Sequence, residues 1–286
     1  MKSRIAFPIV ALAALAALTA GSLACSLSIP LPQVPTPGPE QTDPLSVAYP
    51  ASGKTNLTIS FGAGELSLAP GAKDLVDGSA TYNIPDLKPE IVTRADSIEI
   101  RQGDLKTLTY PKNMVNRWDL QLGSRPMDLS INAGAFTGDY ELGGLALTGL
   151  TVKDGASTVT LSFSTPNPSQ MTVFRYETGA SSVRLNKLAN ANFSTMIFNS
   201  GGGDYTLDFS GTLRRDATVT ITSGVSNLII VVPDGVPANV TVESGVSNIN
   251  AGSEWTQRGN VYTQTGSGPS LTFVVKTGAG NLTLTH

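Results

Sequence analysis

From Thr55 onward the chain alternates apolar and polar positions. Leu57-Thr58-Ile59-Ser60-Phe61 does so, as do Leu66-Ser67-Leu68, Ile98-Glu99-Ile100 and Trp118-Asp119-Leu120-Gln121-Leu122. A period of two is what a half-buried strand requires, and no segment sustains the 3.6-residue stripe of a helix. Asp77-Gly78 and Pro85-Asp86 are turn signals between such runs, and residues 103–116 read as a loop.

Within this alternation one pattern recurs: a glycine, two or three small residues, then apolar and polar positions in turn. It reads Gly62-Ala63-Gly64-Glu65-Leu66-Ser67-Leu68 near the start and Gly278-Ala279-Gly280-Asn281-Leu282-Thr283-Leu284 at the end. Copies begin at Gly155, Gly179, Gly201, Gly224 and Gly245, with a looser one at Gly134. From Gly134 the spacings, by subtraction of residue numbers, are 21, 24, 22, 23, 21 and then 33. A near-constant period in this range marks a repeat architecture, in which each unit buries its apolar face only against its neighbours. Each unit of about 22 residues is expected to hold two or three short strands, one coil of a parallel β-solenoid. The glycines Gly62, Gly134, Gly155, Gly179, Gly201, Gly224, Gly245 and Gly278 are the expected corners, where small residues permit close contact between coils. The last interval is long because residues 252–267, with Trp255 and Tyr262, are inserted. They are expected to form a hairpin or cap over the terminal coil, with a ligand platform of exposed aromatics as the alternative.

The first residues do not fit this pattern. Lys2 and Arg4 precede an apolar run from Ile5 to Leu18 and small residues up to Ala24, the layout of a secretory signal over residues 1–24. Ser22-Leu23-Ala24-Cys25 resembles a bacterial lipobox, so Cys25 is the expected lipidation site. Residues 25–53 carry Pro30, Pro32, Pro35, Pro37, Pro39, Pro44 and Pro50, and read as an extended, unpaired spacer behind the anchor. The folded part then divides into an N-terminal subdomain over 54–125 and the solenoid repeats over 126–286.

Composition narrows the chemistry. The formal net charge is −3, near −5 once Lys2 and Arg4 are removed with the signal, and charged residues are only 14%. No basic stripe is present, so no nucleic-acid partner is expected. The single cysteine is Cys25 and the single histidine is His286, the last residue. A Ser-His-Asp or Cys-His site and a zinc site both lack their parts. Gly201-Gly202-Gly203-Asp204 lacks the lysine and helix of a phosphate loop. Aromatics at 6% are too few for the two girdles of a membrane barrel. No catalytic, cofactor or metal residue is therefore expected. The one enzymatic alternative is a carbohydrate-active site on Asp204 and Asp208, which share a strand face four residues apart.

Phe61-Gly62-Ala63-Gly64-Glu65-Leu66, Tyr82-Asn83-Ile84-Pro85-Asp86-Leu87-Lys88-Pro89-Glu90, Asn116-Arg117-Trp118-Asp119-Leu120 and Leu129-Ser130-Ile131-Asn132-Ala133-Gly134-Ala135 resemble the toast-rack proteins of bacterial envelopes. The later repeats are similar to the cell-wall-antibiotic-response and putative-adhesin group. The first repeats depart from the usual Gly-Ala-Gly at Ala135-Phe136-Thr137 and Asp154-Gly155-Ala156-Ser157. The resemblance implies an all-β, single parallel β-solenoid with a β-rich N-terminal subdomain, at the outer face of the cell membrane, and supplies no catalytic residues. The expected protein is a lipid-anchored, non-enzymatic structural, sensing or adhesive module. Its expected partners are the membrane, through the anchor, and another envelope protein or a glycan; a passive spacer is a further alternative.

Overall fold

The structure, a computed structural model, describes residues 35–51, 55–103, 111–244 and 248–286. The signal segment, Cys25, the spacer up to residue 34 and Gly245 lie outside the described residues.

Among the described residues sixteen strands form one open sheet. They are β1 (Gln41–Val47), β2 (Thr55–Pro70), β3 (Val76–Tyr82), β4 (Pro89–Thr93), β5 (Ser97–Gln102), β6 (Asn116–Leu122), β7 (Met127–Glu141), β8 (Leu147–Ser162), β9 (Met171–Asn186), β10 (Phe193–Asp208), β11 (Ala217–Val231), β12 (Ala238–Ser244), β13 (Asn248–Ala251), β14 (Trp255–Arg258), β15 (Val261–Gln264) and β16 (Leu271–Thr285). The centre is a parallel stack, β2-β7-β8-β9-β10-β11-β16. Antiparallel strands β1, β3 and β6 close one end, and β12, β15 and β14 close the other. The chain is thus an all-β solenoid.

Each coil of the stack is one strand of 15 or 16 residues running through its glycine, not the two or three short strands expected from the sequence. Pairing continues across the corner because successive corners nest. A phase shift in side-chain direction gives the corner its use. In β2 the buried positions are Thr55, Leu57, Ile59, Phe61 and Ala63, then Leu66 and Leu68. The step of three from 63 to 66 resets the alternation, so both arms of the bent strand face the same interior. Strict alternation through the corner would turn the second arm's leucines outward. β11 repeats this with Val219, Ile221 and Ser223 before the corner, and Ser226, Leu228 and Ile230 after it.

Three further features depart from the sequence reading. Residues 41–47, assigned by their proline content to the unpaired spacer, form β1, with Leu45 and Val47 buried. Pro44 is tolerated because β1 pairs only with β3, leaving its other edge without a ladder to serve. The sheet also runs without a break across residues 125 and 126, since β2 pairs β7 directly. Finally, β16 lies between β11 and β12, so Gly278 sits against Gly224 rather than against the corner that precedes it in sequence.

The two ends of the stack are built alike. β5 pairs the first arm of β2 and β6 pairs its second arm. β12 and β13 divide β16 in the same way. The insertion at 252–267 contains the β14–β15 hairpin, which pairs onto β12. Trp255 and Tyr262 are buried in the main core there, which rules out the platform of exposed aromatics.

Candidate binding face

The corner column is the most regular feature. The structure places Gly62, Gly134, Gly155, Gly179, Gly201, Gly224 and Gly278 in one stack. A Cβ on Gly201 would lie 2.6 Å from the carbonyl oxygen of Gly179, and one on Gly278 would lie 2.8 Å from that of Gly224. At the N-terminal end of the stack, Gln102 Oε1 accepts from the Gly62 amide at 2.9 Å. The column is a spine that lets coils approach; it presents no side chain to a ligand.

Inside the corner runs a polar seam that sequence reading missed. The position before each glycine passes along the stack as Phe61, Ala133, Asp154, Thr178, Ser200, Ser223 and Thr277. Tyr176 donates its hydroxyl to Asp154 Oδ2 at 2.8 Å, Thr178 donates to Asp154 Oδ1, and Ser181 donates to the same oxygen at 3.2 Å. A hydroxyl also braces the corner three residues on where no carboxylate is present, Ser223 donating to Ser226 at 2.8 Å. Burial, reinforced by the Asp154 charge, pushes the Tyr176 phenol well above its ordinary value. The signal was present as Ser or Thr, Gly, any residue, Ser, but a hydroxyl beside a corner glycine reads as a turn residue until the inner face is known. This seam holds the fold together. Asp154→Ala is expected to cost about 1–3 kcal/mol by stranding three donors, with Asp154→Asn milder because it keeps an acceptor. Urea unfolding followed by circular dichroism checks the order of the two.

The outer surface is where chemistry could be offered. On the second arm one row runs from β6 to β13: Arg117, Glu65, Thr137, Thr158, Ser182, Asp204, Asn227, Asn281 and Asn248. Asn281 donates to Asn227 Oδ1 at 2.8 Å, and Asn227 to Asp204 Oδ1 at 2.8 Å, so the end of the row is a linked amide ladder. On the first arm Thr195, Thr218, Thr272 and Asn239 are successive in register, and Thr263 follows Asn239.

This arrangement decides the fate of Asp204 and Asp208. Both sit on the outer face of β10, but each carboxylate is engaged locally. Asp204 serves the ladder, while Asp208 accepts from Ser210 N and Ser210 Oγ, both at 2.8 Å, and pins the return turn. Nearby Asp216 is held below the usual carboxylate range by the Ser270 amide and hydroxyl, and Arg215 donates to Asn192 Oδ1 at 3.0 Å. Among the described residues no three His, Cys, Asp or Glu side chains are grouped to hold a metal ion. No helix among them is long and apolar enough to cross a membrane.

The outer face is not flat throughout. On the first arm Gly149 lies opposite Asp128 of β7, where the β7–β8 register shifts at Met127 and Asp128. The missing side chain opens a groove of about 610 Å³, lined by Asn56, Asp128, Ser130, Thr148, Thr151 and Thr172 among others. Thr148 donates its hydroxyl to Asp128 Oδ1, which fixes the carboxylate at the groove. A second groove of about 470 Å³ lies on the second arm, with Asp119 and Asp139 on either side of Ser67. Its Glu141 is occupied by the Gly143 and Ser164 amides at 2.6 and 3.0 Å.

Known proteins can now be set beside this geometry. Residues 36–174 match the family described as the N-terminal domain of toast_rack, DUF2154. No curated protein matches the chain. Among solved structures, a candidate cell adhesion protein from Clostridium sporogenes is 21% identical, with 87% of this chain and 99% of that one covered and a TM-score of 0.49. A candidate adhesin from Bacteroides fragilis is 10% identical, with 88% and 99% covered and a TM-score of 0.34. One from Parabacteroides merdae is also 10% identical, with 86% and 96% covered and a TM-score of 0.36. Over residues 36–174, then, the chain carries the toast-rack N-terminal domain.

Proposed function

We propose that the chain is a non-enzymatic surface module of the bacterial envelope, tethered by lipid at Cys25, that binds a neutral envelope glycan through the outer face of its first arm. The groove at Gly149 carries this reading. Its hydroxyls, its amide at Asn56 and its single oriented carboxylate offer donors and acceptors at fixed strand spacing, about 4.8 Å from coil to coil. Sugar hydroxyls are matched by such groups, and the site brings no concentration of like charge that would call for an ionic ligand. The candidate adhesins among the solved structures are in keeping with a surface role. A carbohydrate-active enzyme on Asp204 and Asp208 has no support in their geometry, because both carboxylates are spent on neighbouring backbone and amide groups.

The test is co-sedimentation of the purified chain with insoluble cell-wall polysaccharide, compared with its Gly149→Gln variant. The added side chain fills the groove, its Cβ meeting only the Asp128 side chain, at 3.0 Å from Oδ1, and no backbone atom. Affinity is expected to fall about tenfold or more, the equivalent of 1.4 kcal/mol, with thermal stability unchanged. Equal binding by the variant would remove the groove from the reading, and absence of binding by the parent chain would favour a passive spacer.

A further inference from the structure

The end of the sheet contains two near-copies of one coil with a third strand between them. β11 reads Ala217-Thr218-Val219-Thr220-Ile221-Thr222-Ser223-Gly224-Val225-Ser226-Asn227-Leu228-Ile229-Ile230. Twenty-one residues on, the sequence reads Ala238-Asn239-Val240-Thr241-Val242-Glu243-Ser244-Gly245-Val246-Ser247-Asn248-Ile249-Asn250-Ala251, identical at eight of fourteen positions. That offset is also the spacing from Gly134 to Gly155, whose coils stack directly on each other. β12 and β13 thus have the length, the corner motif and the inward residues to lie on β11. In the structure they do not, because β16 occupies that level.

β16 fits β11 regularly from Ala217–Leu271 to Val231–Thr285, but its pairing with β12 shifts between Val242 and Ser244. The chain also enters β16 by an unusual route. Gln264 and Leu271 both partner Ala238, from opposite sides, so residues 265–270 pass across the start of β12. The Ser267 amide donates to Gly235 O at 3.0 Å and the Leu271 amide to Pro237 O at 2.9 Å, which lays this connection over the β11–β12 connection. Crossing connections of this kind are rare in sheets. The crossing segment is Thr265-Gly266-Ser267-Gly268-Pro269-Ser270, with Gly268 at φ 89 and open space around it.

We propose that the level between β11 and β12–β13 is a strand-exchange site, and that its partner is β16 of a second copy of this chain. When the 265–270 connection swings out, β16 leaves its level between β11 and β12 with an apolar stripe of Leu271, Phe273, Val275, Leu282 and Leu284, all buried in the closed structure. The slot shaped for that stripe, in the same register, is the one in another copy. Exchange through the 265–270 hinge then makes no contact that the single chain lacks, which is the condition for low-cost swapping. This inference is independent of glycan binding and concerns the opposite half of the stack from the Gly149 groove.

The experiment uses the full chain with Cys25→Ser, as two differently tagged copies. One carries Thr218→Cys and the other Thr272→Cys, an exposed pair opposite each other across β11 and β16. A short bis-maleimide, which adds to one thiol at each end, is chosen as one that joins the two sites within a double variant. After mixing, a covalent heterodimer is expected in several-fold excess over a control pair of Thr218→Cys with Thr158→Cys, with a yield that rises with chain concentration. A yield no higher than that of the control pair, at every concentration, overturns the proposal.

Discussion

Replacing Gly203 with alanine is expected to lower stability by about 3 kcal/mol or more, and the melting temperature by about 6–12 °C for a chain of this size. Gly203 has φ 144, where a side chain is strained, and a Cβ there falls on the carbonyl oxygen of Ser181 in the next coil. That oxygen belongs to a paired strand and cannot retreat without opening the ladder. The two preceding glycines supply the comparison. Gly201→Ala places its Cβ 2.6 Å from Gly179 O, so the coils must part slightly, and its cost is expected to be intermediate. Gly202→Ala meets only Val225 O, at 3.2 Å, and is expected to be nearly neutral. Thermal unfolding of the three single variants tests the order. If Gly202→Ala were the most damaging, the nesting of corners would not be what sets the spacing of the stack.

That ordering within three adjacent, chemically identical residues marks how far the sequence could be read. The repeat itself was legible, because a glycine returns every 21 to 24 residues from Gly134 to Gly245 with alternating residues behind it. Which glycine of Gly201-Gly202-Gly203 bears the strain was not, because it depends on a carbonyl contributed by another coil. The position of β16 was hidden for a related reason. Sequence order is the natural guess for stacking order, and the GVSN motif at Gly245 follows the one at Gly224 at a regular interval, so nothing local announces an intervening strand. The assignment of residues 41–47 to the spacer followed proline content, which is a sound guide within a sheet but not at its edge, where Pro44 has no ladder bond to lose. Asp204 and Asp208 lie on one face of β10, as their four-residue spacing implied, and accept hydrogen bonds from Asn227 and from Ser210 respectively, partners that the spacing did not announce. The Gly149 groove left no mark in the sequence beyond one glycine out of register with the corner column.

Phe198→Ala is expected to cost about 3–5 kcal/mol and to change the form of unfolding as well as its midpoint. Phe198 is fully buried on the first arm of β10. Its ring stacks on Tyr176 of β9 with centroids 5.6 Å apart, and meets Tyr205, on the second arm of its own strand, edge-on at 5.2 Å. One side chain therefore joins neighbouring coils and also ties the two arms across the interior. In a stack where each coil touches only its neighbours, stability is close to a sum of coil and interface terms, and a central break divides the rest into two shorter stacks. The variant is accordingly expected to show a shallower urea transition, with a lower m-value, as the two parts begin to melt separately. Leu57→Ala provides the contrast. Leu57 is equally buried but lies in β2, beside the β5 and β6 strands that close the stack. A break there should shift the midpoint while leaving one transition of unchanged slope, because nearly all the coils remain on one side of it. Equal slopes in the two variants would mean that the sheet unfolds as a single unit wherever it is weakened, and that the coils are coupled more tightly than nearest-neighbour contact provides.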